Sequence, residues 1–127
     1  MKGKTKGNKT NKRNKSNKHI IILCIDFLNN LKLFHWNTKS YALHISSDIL
    51  YEELYKSVDR LVESFLQNRI PINTTISIST NPNYFLNKMK LFKKCMNEMD
   101  VSNELLSLKD DILVSLDQFE YRLTLKE

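Results

Sequence analysis

The chain has 127 residues, 20 Lys and Arg against 14 Asp and Glu for a formal charge of +6, and only two Gly and two Pro. That length holds a single core, and the scarcity of chain breakers beside long stretches of helical periodicity favours an all-α architecture over any α/β one. A glycine-rich phosphate loop is absent, which argues against a nucleotide-binding enzyme, and neither nucleotide nor haem is expected as a cofactor.

Residues 1–18 carry Lys2, Lys4, Lys6, Lys9, Lys12, Arg13, Lys15 and Lys18 and no acid. Such a segment has no apolar surface to bury and is expected to stay disordered. It holds +8, so the remaining residues, at −2, are mildly acidic. Its cationic side chains suit sequence-independent, salt-dependent binding of DNA or RNA phosphates. A solubilising arm, a nuclear-import signal or lysine and asparagine drift in an AT-rich genome accounts for the same composition.

The folded domain is expected over 19–127. A first helix should run from about His19 to Trp36, because Ile20, Cys24, Phe27, Leu31 and Phe34 follow the 3.6-residue period, and His35 falls on the buried side. The run Ile20 to Ile25 follows a basic segment as a signal peptide would, but Asp26 interrupts it and no small-residue cleavage site follows. It is also far short of the roughly 20 apolar residues of a membrane span. Cys24 and Cys95 lie too far apart for a zinc ribbon or a C-x-x-C motif and read as buried free thiols. An intracellular, reducing compartment is expected, without membrane contact.

A second helix should start near Ser40 and continue to about Leu66, with Leu43, Leu50, Leu54, Val58 and Leu61 turned inward. Gln67 to Thr80, with Pro71 and the alternating Thr75 to Ser79, reads as an extended crossover that has room for a short strand. Asn81 as cap and Pro82 in the first turn open a third helix of about 17 residues, and Asp100 or Ser102 can cap a fourth in which Leu105, Leu108, Ile112, Leu116, Phe119 and Leu123 alternate by three and four. Two helical pairs joined by one long connection make a four-helix bundle with a crossover.

Onto this frame fall His35, His44, Asp48, Asp59 and Glu63. The last four are spaced so that each step returns to nearly the same face of one helix, and imidazole mixed with carboxylate suits iron or zinc. They do not form one site within a chain, because a helix rises roughly 28 Å from His44 to Glu63, whereas a ligand lies about 2 Å from its ion. Antiparallel two-fold pairing of the helix with its copy sets Asp48 opposite Asp59 and His44 opposite Glu63, giving two identical sites across a dimer seam. Taken singly, each residue also has a plain reading: an ion pair for Asp59, a solvated charge for Glu63, a capped or exposed imidazole for His44.

The stretch LFHWNTKSYALHISSDILYEELYKSVDRLVE resembles the first two helices of the Dps family, the miniferritins that oxidise iron and often bind DNA. In that family a His-Trp pair ends the first helix, a His-x-x-x-Asp pair opens the second and an Asp-x-x-x-Glu pair follows; here these are His35-Trp36, His44 with Asp48, and Asp59 with Glu63. Small ferritin-like proteins of large eukaryotic DNA viruses carry a similar stretch. The linker between the histidines is shorter than in typical members, and Lys39-Ser40 stands where they often have glycine. The resemblance implies a ferritin-like bundle and an inter-subunit metal site, with His35, His44 and Asp48 from one chain and Asp59 and Glu63 from its two-fold mate. It also implies Fe(II) oxidation by dioxygen or peroxide there, and nucleic-acid binding by a lysine-rich N-terminal tail. Trp36 and Tyr51 or Tyr55 are candidates to shield the site or accept radical equivalents, although aromatic residues at such spacing also serve as core or interface. No histidine follows residue 44, so the Glu-x-x-His pairs of a di-iron site inside one bundle are excluded. The competing expectation is a ferritin-like helical interaction or structural protein without turnover, with a virion as one setting for it.

Overall fold

Four helices set the architecture: α1 Lys2–Asn37, α2 Tyr41–Phe65, α3 Pro82–Glu98 and α4 Leu106–Leu123, with a 3-10 turn at Asn103–Leu105 leading into α4. The computed structural model describes the backbone of residues 2–66 and 69–125 and the side chains of 15–64, 66 and 69–125. Among the described residues there is no strand, so the all-α expectation holds. None of the described helices is long and apolar enough to cross a membrane.

The helix ends follow the local chemistry. Ser40 caps α2, its hydroxyl accepting from the Leu43 amide at 3.2 Å, and Asn81 caps α3, its side-chain oxygen accepting from the Asn83 amide at 2.9 Å ahead of Pro82. At the other end of α3 the Lys109 ammonium donates to the carbonyls of Asn97 and Met99 at 3.0 and 2.8 Å, closing groups the helix leaves open. Ser102 heads the 3-10 turn without a side-chain cap bond, so α4 begins later than Asp100 or Ser102 as its cap would place it.

α1 starts well before His19. Lys15 to Lys18, assigned by composition to a disordered tail, are helical and run without a break into the packed part of α1. Extending a helix that is already nucleated costs far less than starting one, which offsets their poor pattern. The same expectation for residues 1–14 falls on side chains outside those described.

α1 packs against α2 and α3, and α4 packs against α2 and α3. Phe27 stacks on Phe92 with ring centroids 4.5 Å apart and Phe34 on Phe85 at 4.4 Å, which sets α1 and α3 antiparallel. Leu31, Leu50, Leu54, Leu61, Phe92, Met96, Ile112, Leu116 and Phe119 are fully enclosed between the four helices. The segment from residue 69 to 80 returns along the bundle so that α3 can start beside the end of α1. No short strand forms at Thr75 to Ser79: an isolated extended segment has no neighbour to share a ladder with. It is held instead through the Ser77 carbonyl, which accepts from Asn30 Nδ2 at 3.0 Å and from the Tyr84 hydroxyl at 3.1 Å. Beneath it the buried Asp26 pairs with Lys88 at 2.7 Å and accepts from Asn30.

Candidate metal centre

The corner between α1 and α2 is only three residues long, Thr38 to Ser40, and it folds the end of one helix back onto the start of the next. His35 and His44 are thereby stacked, ring centroids 4.0 Å apart and planes 18° from parallel. Each ring is tied to the main chain of the other residue: His35 Nδ1 lies 2.9 Å from the His44 carbonyl oxygen, and His44 Nδ1 lies 3.0 Å from the His35 carbonyl oxygen. A carbonyl only accepts, so both Nδ1 atoms carry the proton. In the neutral rings both Nε2 atoms then keep a bare lone pair, the arrangement by which a metal-binding imidazole is usually oriented.

His35 is buried, as its helical phase predicts, and its Nε2 is 3.9 Å from Oδ1 of the half-exposed Asp48. At this corner of a single chain His35 lies beside two other sequence-predicted ligands, His44 and Asp48. Ser47, buried one turn after His44, completes the corner: its hydroxyl donates to the His44 carbonyl and lies 3.1 Å from His35 Nδ1. Ser47 gave no signal in the sequence, since a serine in a polar helical stretch reads as surface.

Asp59 and Glu63 stand about three turns or more further along α2, both exposed. Among the described residues no cation lies within ion-pair distance of either, so the plain ion-pair reading of Asp59 finds no partner there. The two carboxyls meet each other instead. A side-chain hydrogen bond with Asp59, reinforced by its charge, holds the Glu63 carboxyl above the usual range. Among the described residues no three His, Cys, Asp or Glu side chains form a cluster able to hold a metal.

The outer face of α2 that carries Asp48, Asp59 and Glu63 also exposes Tyr41, Ile45, Ile49 and Tyr55, and an apolar cleft lined by Ile25, Leu28, Tyr55 and Val62 opens beside Asp59. Trp36 is about two-thirds exposed. It lies over the corner's outer edge with Lys32, whose ammonium sits 5.8 Å from the Trp36 ring and 4.3 Å from Tyr51, and Tyr51 stacks on Tyr55 at 6.0 Å. Cys24 is buried and its thiol is pushed up to about 12 by desolvation; Cys95 is half-buried, and both are free. Of the basic segment, Lys15 and Lys18 are described and lie on α1 at the end remote from His35. Lys2, Lys4, Lys6, Lys9, Lys12 and Arg13 have side chains outside the described residues.

A family described as a family of unknown function (DUF5856) matches residues 35–123. The chain belongs to the DUF5856 family. The match begins at His35 and ends with α4, so the DUF5856 region includes every candidate ligand and leaves the basic segment outside. No curated protein matches the chain, and no solved structure does.

Proposed function

We propose that this DUF5856 protein is a Dps-like, ferritin-like iron-binding protein that works as a two-fold dimer. In this reading His35, His44 and Asp48 of one chain face Asp59 and Glu63 of the other, on the antiparallel register in which residues 48 and 59 are opposed. The observation that carries the reading is the reciprocal tie of the two imidazoles to main-chain carbonyls, which leaves Nε2 of each as the free donor atom. An exposed carboxyl pair without a cation supplies the complementary half, and the exposed apolar side chains on the same face supply the contact that brings the halves together. Iron enters as Fe(II) and is the substrate: dioxygen or peroxide takes its electrons, while the chain holds the ion and keeps the site dry. Zinc suits the same donor set. The basic segment adds sequence-independent binding of DNA or RNA.

A second reading, a ferritin-like interaction protein without turnover, is supported by the same exposed aromatic face, since Trp36, Tyr41 and Tyr55 are suited to a protein partner. Anaerobic Fe(II) titration followed by admission of oxygen or peroxide, with the mass determined in the same buffer, separates the two. Saturable binding and rapid oxidation by a dimer or larger assembly are expected. His44→Ala and Asp59→Ala should each abolish binding while the circular dichroism stays helical. Stoichiometric iron binding by Asp59→Ala would refute the shared site, and a folded dimer that takes no iron leaves the interaction reading.

A further inference from the structure

Ser47 is one of the few polar residues that the bundle encloses completely, with no exposed surface. A helical serine often returns its hydroxyl to the carbonyl three or four residues back, and Ser47 does so with His44 at 3.1 Å. What that habit does not explain is the third group: Nδ1 of His35, from another helix, lies 3.1 Å from the same hydroxyl oxygen. Serine has one hydroxyl proton, and the His44 carbonyl takes it. The face of Ser47 Oγ turned to His35 is then a lone pair, which accepts and does not donate.

We propose that Ser47 is a positioning residue for His35, fixing its ring orientation through a shared hydrogen bond. Both neighbours of His35 Nδ1, the Ser47 hydroxyl and the His44 carbonyl, are acceptors toward it, so the proton stays on Nδ1 and the Nε2 lone pair stays directed to the side where Asp48 Oδ1 lies 3.9 Å away. The His44 carbonyl alone fixes one direction. The second acceptor, on the next turn of α2, stops the ring from rocking about its Cβ–Cγ bond. Ser46, the same residue type one position earlier, is turned away from this corner and is only half-buried, so the role follows from helical phase and not from composition.

The consequence for metal affinity rests on the proposed function, but the effect on His35 is read in the metal-free protein. Ser47→Ala removes the hydroxyl, and Ser47→Cys keeps nearly the volume while weakening both hydrogen bonds. Ring-nitrogen NMR of the metal-free protein should show His35 with Nδ1 protonated in the wild type and in both variants, but with its ring signals shifted and broadened in the variants as the ring gains a second orientation, and Fe(II) affinity should fall by about 10- to 100-fold, the usual effect of losing an outer hydrogen bond to a metal ligand. The cysteine variant keeps the test valid if the alanine variant packs poorly. Unchanged His35 ring signals in both variants would overturn the proposal, whatever the metal does. Shifted signals in a protein whose wild type takes no Fe(II) would uphold the role of Ser47 and sink the metal reading.

Discussion

Glu63 shows at single-residue scale what a neighbouring carboxyl does to an exposed acid. Its carboxyl holds a proton above the usual range because Asp59, one turn earlier, hydrogen-bonds to it and repels its charged form. A cation bound between them has to displace that proton, so its affinity should rise with pH through the raised range. Replacing Asp59 by Asn removes the repulsion and offers an amide donor; the Glu63 carboxyl should then titrate lower, toward its ordinary value of about 4.3. Carbon-detected NMR titration of the carboxyl in the wild type and in Asp59→Asn checks this, and an unmoved Glu63 would mean that Asp59 is not the cause. Spacing alone told that these residues share a face, and it placed His35 inside. What spacing does not carry is the mutual tie of His35 and His44, because it depends on a three-residue corner whose geometry no periodicity encodes.

For the elements, the connection between α2 and α3 is the instructive case. Its extended character is legible in the alternating residues around Ile76, but its anchorage is not, since Asn30, Ser77 and Tyr84 are remote in sequence. One clue existed: Asp26 interrupts an apolar helical face, and a charge there calls for a partner. Lys88 is that partner. Asp26→Ala leaves the Lys88 ammonium half-enclosed and frees one hold on Asn30, so it should cost about 1–3 kcal/mol in urea unfolding; an unchanged midpoint would show that the pair contributes nothing. The hydrogen bond to Asp26, ahead of the opposing desolvation, raises Lys88 above its ordinary value. The sign follows directly: the stabilisation is complete below about pH 10.4 and is lost as pH climbs through the raised value of the folded state. The wild type should therefore lose stability in that alkaline window, and Asp26→Ala should lose less.

Across the whole molecule, the charge is divided by position along α1. The lysine-rich stretch lies outside the family match, as does most of α1, and α2 to α4 with every candidate ligand lie inside it. Deleting residues 2–18 should abolish retention on DNA in a gel shift at low salt while Fe(II) uptake and assembly mass stay as they were. Loss of iron uptake on deletion would show that the stretch serves the bundle and not a phosphate partner. Four helices and one long connection were legible from period and caps, because Ser40, Asn81 and Pro82 announce their elements locally. The start of α1 was not, since Lys15 to Lys18 lack any apolar pattern and take their conformation from the helix that follows them.

α1 is also a ruler. Lys18 and His35 belong to one unbroken helix, and at about 1.5 Å per residue they stand roughly 25 Å apart. On the proposed function, a duplex bound at the lysine end would lie more than its own width from the stacked imidazoles. On the same reading, short-lived oxidants formed at the histidine corner would meet Trp36, Tyr51 and Tyr55 before a nucleobase held at the lysine end, and the length of one helix would set that separation.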